Sequence, residues 1–270
     1  MFDRFNRRIN YLRISVTDRC NLHCRYCRDG EGDAFGPMGH ADLLRYEEIR
    51  AIVTEAAALG ITKVRLTGGE PLIKRDIEVL VGFLAGIAGI AEVTMTTNGT
   101  LLAAKARVLK DAGLARINIS LDSLDPQRYR DLTGGGDIAA VLAGITAAGA
   151  AGFRNTKINM VIIDGFNTDE TERMRAFCRG NGLTLQLIRQ FSLKTPKDPE
   201  ALAGFDRPPP CGECNKIRLL ANGMLKPCLH TDAEIPIRMD DIRSSLLEAV
   251  DRKPHCGDAC MHRVMNQIGG

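Results

Sequence analysis

A chain of 270 residues, 44% hydrophobic and 26% charged, has the balance of a globular protein with one sizeable core. Its net charge of +3 suits an anionic small-molecule substrate and is too slight a basic excess to indicate nucleic acid. No apolar run reaches bilayer length and scattered charges mark the first ten residues, so the expected setting is the cytoplasm, with no membrane partner.

Strand and helix patterns then alternate along the chain. Tyr11–Val16 predicts a strand, Tyr46–Leu59 a helix, Lys63–Thr67 a strand and Asp76–Ala88 a helix. Glu92–Thr96, Arg116–Leu121, Thr156–Ile162 and Thr184–Ile188 predict four more strands, with helices at Leu101–Ala112, Ile138–Ala150 and Asp169–Asn181 between them. Gly60 and Gly113 stand where helices should end. Cys178, close to Met174 and Phe177 in a helical pattern, reads as a core residue. Six strands with intervening helices imply a parallel sheet and are too few for a closed eight-stranded barrel. The expected fold is α/β: a partial (βα)6 TIM-like barrel over residues 1–190. Residues 191–210, with Lys194, Pro196, Lys197, Pro199 and Pro208-Pro209-Pro210, have the composition of a linker. Residues 211–270 form a cysteine-rich C-terminal extension.

Polar motifs cluster at the C-terminal ends of the predicted strands, where barrel enzymes carry their chemistry. Thr17 to Cys27 follows the first strand and Gly68-Gly69-Glu70-Pro71 the second. Thr96-Thr97-Asn98-Gly99 closes the third and Ser120-Leu121-Asp122-Ser123 the fourth.

Eight of the nine cysteines lie in groups towards the two chain ends, and in a reducing compartment such groups bind metal or do redox chemistry. Cys20, Cys24 and Cys27 have C-x3-C-x2-C spacing. Three thiolates can ligate three irons of a four-iron cubane and leave the fourth iron open. The alternative is zinc, which ordinarily takes four protein ligands in a structural site, and His23 is poorly placed to be the fourth. A second group, Cys211, Cys214 and Cys228, reads either as another cluster or as a zinc or dithiol site. Cys256 and Cys260 add two thiols near the tail; one of them closing the second cluster, the pair forming a zinc or redox site, or simply two thiols, are all open readings.

The cysteine spacing with Tyr26 before Cys27, followed by Gly68-Gly69-Glu70-Pro71, resembles the radical S-adenosylmethionine (SAM) superfamily. Tyr11-Leu-Arg-Ile-Ser-Val-Thr-Asp-Arg-Cys20, Val64 to Pro71, Thr96 to Gly99, Asn118 to Asp125, Lys157-Ile-Asn159 and the closing Ile268-Gly269-Gly270 are similar to the GTP 3′,8-cyclase family of molybdenum cofactor biosynthesis. The resemblance implies two [4Fe-4S] clusters, on Cys20, Cys24 and Cys27 and on Cys211, Cys214 and Cys228, the first cutting SAM to a 5′-deoxyadenosyl radical. It implies a small-molecule substrate, GTP, and an external electron donor, and leaves room for a homodimer. Tyr26, Gly68, Gly69, Glu70, Asn98 and Ser120 are then expected on the cofactor side, with Thr96 and Lys216 in the same set. Arg13, Arg65, Lys157 and Arg218 are the expected catalytic group near GTP, where Arg offers a fork of donors and Lys a point charge.

Three features depart from that family. Gln186 and Arg189 stand in the sixth strand where the family has an Arg-Phe-Ile-Glu-type sequence. The segment before Cys211 is several dozen residues shorter than in the family. Lys216-Ile-Arg218 replaces an Arg-x-Arg pair, keeping charge but losing one bidentate fork. Two other functions therefore stand beside the cyclase: a related radical SAM enzyme acting on another nucleotide or a peptide, and a non-enzymatic iron–sulfur or zinc protein.

Overall fold

The computed structural model describes residues 1–27, 38–39, 42–196, 198, 200, 203–206 and 210–269. Of the residues singled out above, Lys197, Pro199, Pro208, Pro209 and Gly270 lie outside these.

Six strands run parallel in chain order: β1 Tyr11–Ser15, β2 Lys63–Thr67, β3 Glu92–Thr97, β4 Arg116–Ser120, β5 Lys157–Ile162 and β6 Thr184–Arg189. Each is the spatial neighbour of the one before it. The helices α1 Tyr46–Ala58, α2 Ile77–Ala85, α3 Leu102–Asp111, α4 Pro126–Thr133, α5 Ile138–Ala150 and α6 Thr171–Gly180 connect them. Right-handed crossovers between adjacent parallel strands place all these helices on one face of the sheet. The partial-barrel expectation holds, and the sheet does not close.

The strands alternate, and the alternation divides the molecule. Leu12, Ile14, Val64, Leu66, Val93, Met95, Ile117, Ile119 and Ile158 are fully or almost fully buried against the helices. They meet Ile49, Ile52 and Val53 of α1 and Leu80, Val81 and Leu84 of α2. Each such side chain contributes about 1.5–3 kcal/mol by leaving water. Cys178, on α6, belongs to this core. The intervening positions — Arg13, Arg65, Thr94, Asn118, Lys157 and Asn159 among them — take the opposite face, because successive strand side chains point to opposite sides. That polar face is the inside of the partial barrel.

Two glycines tighten the outer layer. Gly60 and Gly113 follow α1 and α3 with φ of 95° and 99°, the left-handed conformation that ends a helix. α4 is a polar helix that composition alone does not mark, but its start is built by Asp125, whose side chain accepts from the Arg128 N–H at 2.8 Å, with Pro126 in the first turn.

Beyond Cys211 the chain rejoins the same sheet. β7 Lys216–Leu219 pairs in parallel with β1, and β8 Met224–Lys226 and β9 Ile235–Pro236 continue antiparallel. α7 Ile242–Asp251 and the short α8 Met265–Ile268 complete the described chain. Among the described residues no single helix is long and apolar enough to cross a membrane.

Candidate active site

The loop after β1 carries Cys20, Cys24 and Cys27, all half-buried, with a short helical turn over Arg25–Cys27. The loop after β2 lies against it. Gly69 N–H donates to the Thr17 carbonyl at 2.7 Å and Glu70 N–H to the Arg19 carbonyl at 2.8 Å. This approach requires glycine. A Cβ on Gly69 would stand 2.1 Å from the Arg19 oxygen, and one on Gly68 2.4 Å from the Thr17 oxygen.

The third loop fastens the other side. The buried Glu70 carboxylate accepts from Thr97 Oγ1 at 2.7 Å, Asn98 N–H at 2.7 Å and Leu72 N–H at 2.9 Å. Burial pushes its pKa up to about 7 even so, with those bonds pulling it down. Glu70 therefore positions the Asn98 loop. Asn98 Nδ2 in turn donates to Asn21 Oδ1 at 2.9 Å and lies 3.8 Å from the Cys20 sulfur. The fourth loop holds the cysteine loop through Tyr26, whose hydroxyl donates to Asp122 Oδ2 at 2.7 Å, while Val161 N–H donates to the other oxygen at 2.7 Å. Burial raises Asp122 to about 6.

Two of these thiols, Cys20 and Cys24, sit where negative charge is costly. Burial, then the charges of Glu70 and Cys24, raise Cys20 to about 11. Cys24 is raised by its contact with Cys27 and by burial. Thiolates crowded in this way need a cation between them, which is what iron supplies. Among the described residues no three His, Cys, Asp or Glu side chains converge on a single-ion site. A cubane asks for no such convergence, since each cysteine holds a different iron. The donor set and the glycine wall thus fit a cluster with a small ligand beside it.

These residues line one cleft. Cys20, Cys24, Tyr26 and Cys27 form one wall, and Gly68, Gly69, Thr96 and Asn98 another. Ser120 and Asn159 form the floor side, and Ile188, Arg189, Phe191 and Met265 border the rest. Arg13, Arg65, Lys157 and Arg218 are not among its lining residues. They belong to the inner face of the sheet. Arg65 Nε donates to the Tyr11 hydroxyl at 2.6 Å and its Nη1 to Thr96 Oγ1 at 3.0 Å. Arg13 and Arg218 both donate to the carbonyl of Gly269, at 3.2 and 2.6 Å. Lys157 lies two residues before Asn159 on the same side of β5. Lys216 sits over the Tyr11 ring, 5.9 Å from its centroid. Burial would raise the Tyr11 phenol, but Arg13, Arg65 and Lys63 outweigh it and lower it.

The sequence reading gave no role of their own to Asn118 and Asn159, which meet Gln186 on this face. Asn118 Nδ2 donates to both Asn159 Oδ1 and Gln186 Oε1 at 3.2 Å. The period-two polar pattern of Arg116-Ile-Asn-Ile-Ser120 and Lys157-Ile-Asn159 is the signal that would have found them. It also missed Asn266, whose Nδ2 donates to the Asp18 carbonyl at 3.0 Å and pins the tail to the cysteine loop.

The C-terminal cysteines divide. Cys211 follows Pro210 at the head of a turn, and its sulfur is bonded to that of Cys256, with Cα atoms 5.3 Å apart. The Cys214 sulfur takes Lys253 Nζ at 3.3 Å. Burial opposes its ionisation, but the charge of Lys253 and the Lys216 N–H outweigh it and lower its pKa to about 7. Cys228 stands against Gly257, where a Cβ would come 2.7 Å from its sulfur. Cys260 is placed elsewhere: it is fully buried with Leu193, Leu220 and Ile268, and its thiol lies between Lys226 and Asp232.

Residues 14–178 match the Radical SAM superfamily. The GTP 3′,8-cyclase of Moorella thermoacetica is 38% identical, with 100% of both chains covered. That alignment runs to 325 positions against 270 residues here, so the relative carries residues with no counterpart in this chain. The GTP 3′,8-cyclase of Peptoclostridium acidaminophilum is 39% identical over 94% of this chain and 92% of that protein. Among solved structures, anSMEcpe with bound AdoMet superposes with a TM-score of 0.66 at 15% identity, covering 91% of this chain and 81% of that one. Streptococcus suis SuiB bound to S-adenosylmethionine does so with 0.68 at 16%, covering 92% and 64%. At these identities the structures speak for the fold.

Proposed function

The chain belongs to the radical SAM superfamily and, within it, to the GTP 3′,8-cyclase family; from that premise we propose that it binds a [4Fe-4S] cluster on Cys20, Cys24 and Cys27, binds SAM beside it, and acts on GTP. The observation that carries the reading is the meeting, in one cleft, of these three thiols with the side-chain-free wall of Gly68 and Gly69. A [4Fe-4S] cluster held by Cys20, Cys24 and Cys27 would supply the single electron for reductive cleavage of SAM bound beside it, and so the radical chemistry directed at GTP.

The chain's own residues position that chemistry. Tyr26, through Asp122, and Asn98, through Glu70, hold the cysteine loop from two sides. Arg13, Arg65, Lys157 and Arg218 give the inner face a positive field suited to a triphosphate, and the guanidinium forks suit its paired oxygens. Ile188, Phe191 and Met265 border the cleft with apolar surface that limits water. A second cluster on Cys211, Cys214 and Cys228 is part of this reading; it is supported by the buried Arg218 of the inner face, whose charge interacts with Cys214 and Cys228. An external electron donor completes the requirement.

A second reading rests on Gln186. Its amide oxygen accepts from Asn118, so a basic family position contributes a neutral, satisfied group here. A related nucleotide bearing less charge would suit that change.

The test is 5′-deoxyadenosine formation by anaerobically reconstituted, dithionite-reduced protein given SAM, with and without GTP. Strong stimulation by GTP supports the cyclase. Formation without GTP stimulation favours the second reading, and no formation contradicts both.

A further inference from the structure

We propose that Cys256 is the fourth thiolate of the C-terminal site, so that its cluster is ligated by Cys211, Cys214, Cys228 and Cys256 and has no open iron. The inference rests on the auxiliary cluster of the proposed function and goes beyond it by closing that cluster with a residue of this chain.

The segment around Cys256 is built against the three other cysteines by two buried cations. Lys253 is 1% exposed, and its Nζ donates to the Lys216 carbonyl at 2.9 Å and the Pro227 carbonyl at 2.9 Å while facing the Cys214 sulfur. Those contacts tie the start of the segment to the flanks of both Cys214 and Cys228. Arg7 does the same on the other side. Its Nη1 donates to the Cys211 and His255 carbonyls, both at 2.8 Å, and its Nη2 to the Pro254 carbonyl at 2.7 Å. Asp3 anchors Arg7 in turn, 2.6 Å from Nε. One guanidinium therefore binds the backbone of Cys211 and the backbone preceding Cys256 together. Holding two chain segments 45 residues apart in register by a buried, three-carbonyl clamp is an elaborate arrangement for a casual thiol.

The sulfurs agree with the backbone. Those of Cys211 and Cys256 are paired in the structure, so a thiol reductant, itself oxidised to its disulfide, must deliver two electrons to free both as thiolates before iron binds, and Gly257, without a side chain, lets the Cys228 sulfur and the His230 carbonyl approach the same segment. A Cβ at position 257 would stand 2.3 Å from the His230 carbonyl oxygen and 2.7 Å from that sulfur. Cys260 cannot make the same claim. Its N–H donates to the Leu193 carbonyl at 2.7 Å, and its side chain is enclosed by the small apolar cluster of Leu193, Leu220 and Ile268. Of the two tail thiols, geometry chooses Cys256.

The consequence is chemical. A cubane with one open iron can take a nitrogen or oxygen of the substrate as its fourth ligand; one with four thiolates cannot. Substrate recognition then falls to the polar inner face of the sheet, and the C-terminal cluster acts through its charge and redox state.

The test uses the full-length chain with Cys20→Ala, Cys24→Ala and Cys27→Ala, which leaves only the C-terminal site to load. After reconstitution it should hold about four irons per chain. Carbon-13 cyanide, which ligates an iron lacking a thiolate whether or not GTP is the substrate, is then added to the reduced protein. The expected result is no carbon-13 hyperfine coupling by ENDOR. Adding Cys256→Ala should create that coupling, and adding Cys260→Ala should not. If Cys256→Ala sheds the iron, Cys256→Ser, which keeps an oxygen donor, should restore it with a shifted Mössbauer spectrum. A coupling seen with Cys256 intact, a spectrum unaltered by the serine, or a Cys211–Cys256 disulfide in peptide maps of the iron-loaded protein overturns the inference alone. Failure of the three-alanine protein to bind iron overturns the auxiliary cluster itself, and the inference with it.

Discussion

Arg218, from the first strand beyond the cysteine turn, donates to the carbonyl of Gly269 at 2.6 Å, and so holds to the inner face of the sheet a C-terminal tail whose Met265 and Asn266 line the cleft. The fit is tight: a Cβ on Gly269 would stand 2.0 Å from Thr67 Oγ1, and its φ of 72° favours glycine. Arg218 is 6% exposed, and its charge faces the tail, Cys214, Cys228 and Tyr11.

Replacing that guanidinium should therefore show in catalysis. A hydrogen bond to a charged group contributes about 1.5–3 kcal/mol, so Arg218→Ala is expected to lower substrate-stimulated 5′-deoxyadenosine formation roughly 10- to 100-fold. Iron bound at Cys20, Cys24 and Cys27 should be unchanged. Iron analysis beside product chromatography checks both statements, and full activity in the variant would remove the tail from the site.

Gly69→Ala should abolish SAM cleavage. The added methyl would meet backbone, the Arg19 carbonyl, and neither loop can yield without moving the cysteines. A loss of at least about 100-fold in 5′-deoxyadenosine is expected, as a misplacement near 1 Å costs in a preorganised site. Gly149→Ala is the control. Nothing lies within 4 Å of its Cβ position in α5, so it should leave activity intact and gain up to about 1 kcal/mol in thermal or denaturant melts.

The Glu70 carboxylate carries a pH signature. Its folded pKa of about 7 lies above the ordinary 4.5, so the neutral acid is the form that folding favours. The stability it contributes is whole below pH 4.5 and is lost as pH rises through about 7. Thr97→Val strips the ionised form of a donor at 2.7 Å. The variant should be destabilised by about 1–3 kcal/mol, with the larger penalty at pH 8 and the smaller at pH 6. Denaturant midpoints of the apo protein at the two pH values decide it; a penalty that does not grow with pH would place Glu70 outside this account.

Much of this was legible in the residues. Strands such as Lys63–Thr67 and the helix Ile138–Ala150 fall where their apolar period puts them, because each buries one regular stripe. The C-x3-C-x2-C loop and the two glycines were legible because they need no tertiary context to be unusual. α4 was not, since Gln127, Arg128, Arg130 and Asp131 face water and only its cap marks it. β7 to β9 were hidden for another reason: they are two to four residues long, and the pairing of β7 with β1, on which β8 and β9 build, is a long-range choice that no local pattern carries. Cys256 and Cys260 look alike in sequence. Only the clamp of Arg7 and the burial beside Leu193 separate them.

The most direct test of the central claim is isotope transfer. GTP deuterated at the ribose C3′ position is given to the reconstituted, reduced enzyme with SAM, and the 5′-deoxyadenosine is weighed by mass spectrometry. The account predicts that the product gains one deuterium and that Cys24→Ala abolishes it. Unlabelled 5′-deoxyadenosine formed at the same rate with and without GTP would contradict it.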